Sequence, residues 1–157
     1  MAAAAGLALL VTGCGDEGAT PSGGSGANGV KLEATTVARE IDAAAKAAGF
    51  TKDSSVSRVK PELKECMVDW VADDPGRAAD PKKSAADTIA GLVEAGWTEG
   101  ESAQQGDRET KTLTKGDWEI RSASELGKGI KALVFAGTRT SPECVELLVA
   151  DLGSGKG

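Results

Sequence analysis

The sequence predicts one α+β domain, with helices packed on one face of a mainly antiparallel sheet in the order αβαβββα. Three observations predict it. Two stretches with apolar residues at helical spacing each end in Gly followed by an aromatic residue, AAGF at 47–50 and EAGW at 94–97. Two alternating segments flank Lys115-Gly116, where a two-residue hairpin turn fits. A run apolar on both faces, Ala132 to Phe135, follows, and Ser141-Pro142-Glu143 then opens a last helical stripe.

Taken in order, the folded part begins near Leu32. Thr35 or Thr36 can cap a helix whose apolar positions are Val37, Ile41, Ala44, Ala45 and Ala48. Gly49-Phe50 reads as a left-handed stop with a following apolar contact. Residues 63–71 fit two patterns. Leu63, Cys66, Met67, Trp70 and Val71 suit a helix face, whereas Cys66, Val68 and Trp70 suit a strand face. The short length before Asp73-Asp74-Pro75-Gly76 favours the strand.

A second helix opens at Asp80-Pro81, a cap with Pro at the first helical position. Its stripe is Ala85, Ile89, Leu92 and Val93, and it stops at Gly96-Trp97. The similar stops, each followed by a later Asp-Trp pair (Asp69-Trp70, Asp117-Trp118), suggest a duplicated unit, though two independent helix stops explain them equally well. Thr110–Thr114 and Asp117–Ser122 then form the hairpin, with Leu113 placed opposite Trp118. Ile130–Thr138 reads as a strand central in the sheet. The last helix, capped by Ser141, carries the stripe Cys144, Leu147, Leu148 and Leu152.

The two ends differ in kind from this domain. Met1 to Thr12 hold no charged side chain and are mostly Ala, Leu, Gly and Val, the length of a signal-peptide core and too short to span a bilayer. The run closes on Val11-Thr12-Gly13-Cys14, with a small residue before the Cys as signal cleavage requires. The alternative is a buried helix with an incidental Cys, which the charged and Gly-rich residues that follow at once disfavour. The first basic residue is Lys31, so a signal peptide here lacks its basic opening; a start placed too late would account for that. Residues 15–28, GDEGATPSGGSGAN, bury too little surface to fold and read as a tether with a reach of roughly 20 Å. The organisation expected is a leader over 1–13, Cys14 and linker over 14–33, the domain over 34–152 and a tail over 153–157.

Composition excludes much chemistry. The 24 acidic and 18 basic residues all follow Cys14, giving a net charge of −6 without a Lys/Arg block, a poor nucleic-acid or anionic-membrane binder. There is no His and no Tyr, which removes the commonest general base and neutral metal ligand. No catalytic residue, cofactor or metal is expected. Asp73-Asp74 with Asp80, or Glu99 with Glu101, lack Ca²⁺-loop spacing and read as solvated loops. The GSGKG tail lacks the Ser or Thr and the helix that a phosphate loop needs. The three Trp residues read as core rather than a stacking platform. Lys111, Lys115 and Arg121 read as charges that guard an edge strand.

The leader motif resembles the bacterial lipobox. That resemblance implies diacylglyceryl and palmitate-type acylation of Cys14 and cleavage just before it, an anchor stable because it carries more than one chain. An exported chain in turn leaves Cys66 and Cys144 as an even pair in an oxidising place, expected to join as a disulfide; two separate buried thiols are the alternative. Closing that loop contributes roughly 4–5 kcal/mol by the chain-entropy argument. Lipobox, Gly/Ser tether, Gly-Trp stop and two later Cys together resemble the small lipoproteins of actinomycetes. The resemblance implies attachment to the outer face of the cytoplasmic membrane and implies no activity. The expectation is a monomeric, non-catalytic envelope module that binds an envelope protein or small ligand and touches membrane only through its lipid. The alternatives are a secreted protein-type enzyme inhibitor, or a hydrolase in which two carboxylates share a cleft roughly 5–10 Å apart.

Overall fold

The computed structural model describes residues 31–127 and 131–154. Cys14, the leader and most of the linker lie outside the described residues, as does the opening Ile130 of the expected central strand. Helix α1 spans Ala34–Ala47, and Glu33, rather than either Thr, occupies the cap position. Its side chain makes no capping bond, so Thr35 and Thr36 fall inside the first turn. Val37, Ile41 and Ala45, one full turn apart, are completely buried.

The stop is a Schellman turn: Phe50 N–H reaches the Ala45 carbonyl (2.9 Å), Gly49 N–H reaches Lys46 (3.0 Å), and Gly49 takes φ +91°. Helix α2, Pro81–Glu94, ends the same way, with Trp97 N–H on the Leu92 carbonyl (3.1 Å), Gly96 N–H on Val93 (2.9 Å) and Gly96 at φ +93°. At its other end the Asp80 carboxylate accepts from Lys83 N–H at 3.0 Å, as Asp-Pro foretells.

Each stop delivers the chain to an edge of one six-stranded antiparallel sheet. Strand β1 (Thr51–Lys52) lies at one side and β3 (Thr98–Gln105) at the other. The likeness ends there, since Trp70 belongs to the strand after β1, while Trp118 comes two strands after β3. A 3₁₀ turn, Pro61–Leu63, precedes β2 (Met67–Asp73), which settles 63–71 as turn then strand. The others are β4 (Arg108–Lys115), β5 (Trp118–Glu125) and β6 (Ala132–Arg139), in the order β1-β2-β6-β5-β4-β3. The sheet thus has two edge strands beyond the expected four. The hairpin turn is Gly116-Asp117 rather than Lys115-Gly116, which pairs Lys115 with Trp118 and Leu113 with Ile120.

Strand β6 is central, between β2 and β5. Leu133, Phe135 and Arg139 face the helices, and Phe135 meets Trp70 edge-on with ring centroids 5.9 Å apart. Gly137 lies in the same row, where an added Cβ would come within 2.5 Å of Val68 Cγ2. The core is filled from α1, α2 and the helix-facing residues of the sheet.

All three Trp residues are buried in this core, and all three donate their indole N–H to α1 or to its approach. Trp70 donates to Asp42 Oδ1 (3.1 Å), Trp97 to Glu40 Oε2 (2.8 Å) and Trp118 to the Leu32 carbonyl (2.9 Å). The Lys46 ammonium hydrogen-bonded to Asp42 holds that carboxyl below its ordinary range; partial burial opposes this and the Trp70 indole reinforces it. A group depressed in the folded state contributes stability above the ordinary carboxylate value, about 4, and loses it as pH falls through the folded value. The melting-temperature gap between wild type and Asp42→Asn is therefore expected to be full near neutrality and to close as pH drops below about 4. Thermal melts from pH 7 to 2 measure it, and a gap that does not change with pH refutes the assignment.

The last helix, α3 (Pro142–Ser154), departs most from expectation. Its first helical bond, Val145 N–H to the Ser141 carbonyl, is 3.0 Å, in keeping with Ser141 as cap residue. Of the expected stripe only Cys144 is buried. Leu148 is half-buried, while Leu147 (46 %) and Leu152 (78 %) are exposed. No α3 residue joins the main core, and α3 rests instead on the Pro61–Leu63 turn. One sheet face offers room for two helices, and α1 and α2 have filled it.

Candidate functional site

The carboxylates offered by sequence do not converge on a site. Asp74, left-handed at φ 40°, accepts from Arg77 Nε at 3.1 Å, and Asp80 is consumed as the α2 cap. Asp73 ends β2 opposite Thr51. Glu99 and Glu101 lie exposed on the edge strand β3, at a break in its pairing with β4. Among the described residues no group of three or more Asp, Glu, Cys or His side chains stands ready for a metal. Asp87 and Glu94 line a groove of about 270 Å³ between α1 and α2, and Asp107 and Glu109, which no spacing in the sequence marks, share a smaller hollow. That hollow, between α2 and the sheet, is about 70 Å³, and a neighbouring one floored by Ile89, Leu133 and Phe135 is about 40 Å³. Pockets that hold small ligands are larger, about 300–1,000 Å³.

The charges expected to guard an edge have other work, because β4 and β5 are interior strands. Lys115 Nζ bridges Glu40 Oε1 and the Ala95 carbonyl, 2.7 Å to each, and lies 5.8 Å from the centre of the Trp97 ring. It joins α1, the end of α2 and the hairpin. Lys111 pairs with Glu109 and Arg121 with Glu119 along their own strands.

Two surfaces remain. The first is the sheet face away from α1 and α2. A row of small or β-branched residues crosses it, with Val71, Val134, Ala123, Thr110 and Ala103 in register. A depression of about 510 Å³ on it is lined by Glu101, Ser102, Ala103, Thr110, Thr112 and Arg121. The second is α3. Val145, Leu148, Val149 and Leu152 follow i, i+3, i+4, i+7, and Val145 (46 %) and Val149 (64 %) are exposed together with Leu152. That spacing was visible in the sequence. The reading of Cys144, Leu147, Leu148 and Leu152 as one core stripe obscured it.

The foot of α3 is tied down by several kinds of bond. Cys66 and Cys144 are brought to disulfide distance, with Cα atoms 5.3 Å apart. Lys60 pairs with Asp151, two turns further along the helix. Just before α3, the buried Arg139 donates to Asp117 Oδ2 (2.8 Å), to the Leu32 carbonyl (2.5 Å) and to the Glu65 carbonyl (3.5 Å), and its guanidinium lies 5.4 Å from the centre of the Trp118 ring. Among the described residues Asp117 Oδ1 is buried without a partner. Leu32 is thus pinned beside the start of α3. Glu143, in the first turn, has its carboxyl held low by its own backbone N–H and the Ser141 hydroxyl, with Lys31 and Arg139 as nearby positive charges. No family model, curated protein or solved structure matches the chain.

Proposed function

We propose that the chain is a lipid-anchored extracytoplasmic protein on the outer face of the cytoplasmic membrane, and that its domain is a non-catalytic interaction module. The observation that carries the second half is the uncovered sheet face. Its depression of about 510 Å³ is several times either hollow beneath α2 and lies open across the strands, which suits the surface of a protein partner. The anchor rests on Val11-Thr12-Gly13-Cys14 and the Gly/Ser segment after it. A carboxylate hydrolase finds less support, since Asp107 and Glu109 share only about 70 Å³ and Asp87 and Glu94 stand two turns apart along the open side of α2.

Cys14→Ala is expected to abolish fatty-acid labelling and release the protein from the membrane fraction; labelling that persists overturns the anchor. For the module, a photo-crosslinking residue at Thr112 in the anchored protein is expected to give a discrete adduct in intact cells, and one at Glu62 none. Equal, diffuse labelling at both positions overturns the sheet-face reading.

A further inference from the structure

Among the described residues five large apolar side chains are exposed, and four of them, Val145, Leu147, Val149 and Leu152, belong to α3. The helix cannot roll to hide them. Cys144 is held to Cys66 and Asp151 to Lys60, and these two residues lie seven apart, on the same side of the helix. The stripe Val145, Leu148, Val149 and Leu152 is set about a quarter turn away from that side. Something outside the described domain must cover it, or it stays in water.

Where the undescribed part of the chain joins the domain says what that is. Leu32 is fastened to Arg139 and Trp118, two residues before Ser141 opens α3. The segment carrying Cys14 therefore leaves the domain at the foot of α3. A Gly/Ser-rich segment of that length reaches roughly 20 Å, and a 13-residue helix is about 20 Å long. An acyl anchor at Cys14 consequently keeps the whole stripe within reach of the bilayer. Resting on the lipid-anchor reading above, we propose that α3 seats the domain on the lipid surface, its Val145–Leu152 stripe entering the boundary between headgroups and acyl chains.

The charges define the chemistry. Helix α3 carries Glu143, Glu146 and Asp151 and no Lys or Arg. Attraction to anionic headgroups cannot drive the docking. It is apolar, weak by itself, and made effective by the high local concentration that the anchor creates. Seated this way, the domain holds one orientation on the membrane and leaves its uncovered sheet face free for a partner.

The test uses the full acylated chain with Val149→Trp, reconstituted in phosphatidylcholine vesicles whose acyl chains carry bromine near the headgroups. The three native Trp residues are buried, so the added indole reports the stripe. It is expected to lose most of its emission, while Thr112→Trp on the sheet face loses little. Replacing part of the phosphatidylcholine with phosphatidylglycerol is expected not to increase the quenching. Leu152→Trp, at the most exposed position of the stripe, repeats the measurement should Val149→Trp fold poorly. Vesicle-bound, acylated protein without quenching at either position overturns the seating and leaves the anchor intact. A protein crosslinked at position 149 without quenching overturns it in favour of a protein partner. Mass spectrometry of the same sample reads the acyl group separately, so a chain found without it fails the anchor reading itself.

Discussion

Arg139→Met is expected to lower stability by about 3 kcal/mol, because it removes a buried guanidinium that donates to three acceptors and leaves the half-buried Asp117 carboxylate unpaired. Arg139 is 4 % exposed and serves three acceptors from three parts of the chain: Asp117, the Leu32 carbonyl and the Glu65 carbonyl. Met replaces the apolar stem of Arg139, so the loss reports chiefly the charge and its bonds. Asp117 is the vulnerable partner. One of its oxygens already lacks a hydrogen bond, and the variant would leave the other without one too. The double variant Asp117→Asn/Arg139→Met is expected to recover part of the loss, since no uncompensated carboxylate then remains. Urea melts of the four proteins make the comparison. A single variant within about 1 kcal/mol of wild type would show that the cluster contributes little.

The second large effect is expected at the cysteines. Joined, Cys66 and Cys144 close a loop with a sequence separation of 78, for which the chain-entropy argument gives about 4–5 kcal/mol. Replacing both with Ala is expected to cost about 2–5 kcal/mol. The loss should also have a place. No side chain of α3 is in the main core, so amide exchange over 143–152 is expected to become fast, while β2 and β6 keep their protection. Non-reducing digestion of the wild type should yield the two peptides as one linked species. Two alkylatable thiols in native protein, or exchange unchanged in the double variant, would contradict the staple.

What the residues revealed in advance, and what they hid, follows from where each one stands. Both helix stops were legible because Gly at positive φ followed by a buried aromatic is a local device, complete within six residues. Asp80-Pro81 was legible for the same reason. Strand β3, TEGESAQQ, was not: it is an edge strand exposed along its whole length, so nothing in it alternates. Lys115 reads as an edge guard because its sign and its place beside a turn are visible, whereas Glu40, seventy-five positions earlier, is not. The apolar spacing of α3 was read as core because the sequence cannot show that α1 and α2 already occupy the covered face. Apolar periodicity marks a face that will be covered, without saying by what.

The three indoles have a practical consequence. With no Tyr in the chain, its intrinsic emission comes almost wholly from Trp70, Trp97 and Trp118, each tethered to α1 or to the residues leading into it. An unfolding curve followed by fluorescence therefore clocks chiefly the departure of one helix, and only Trp118, through Leu32 and Arg139, stands near α3. A calorimetric transition that begins before the optical one would be the signature of α3 letting go first.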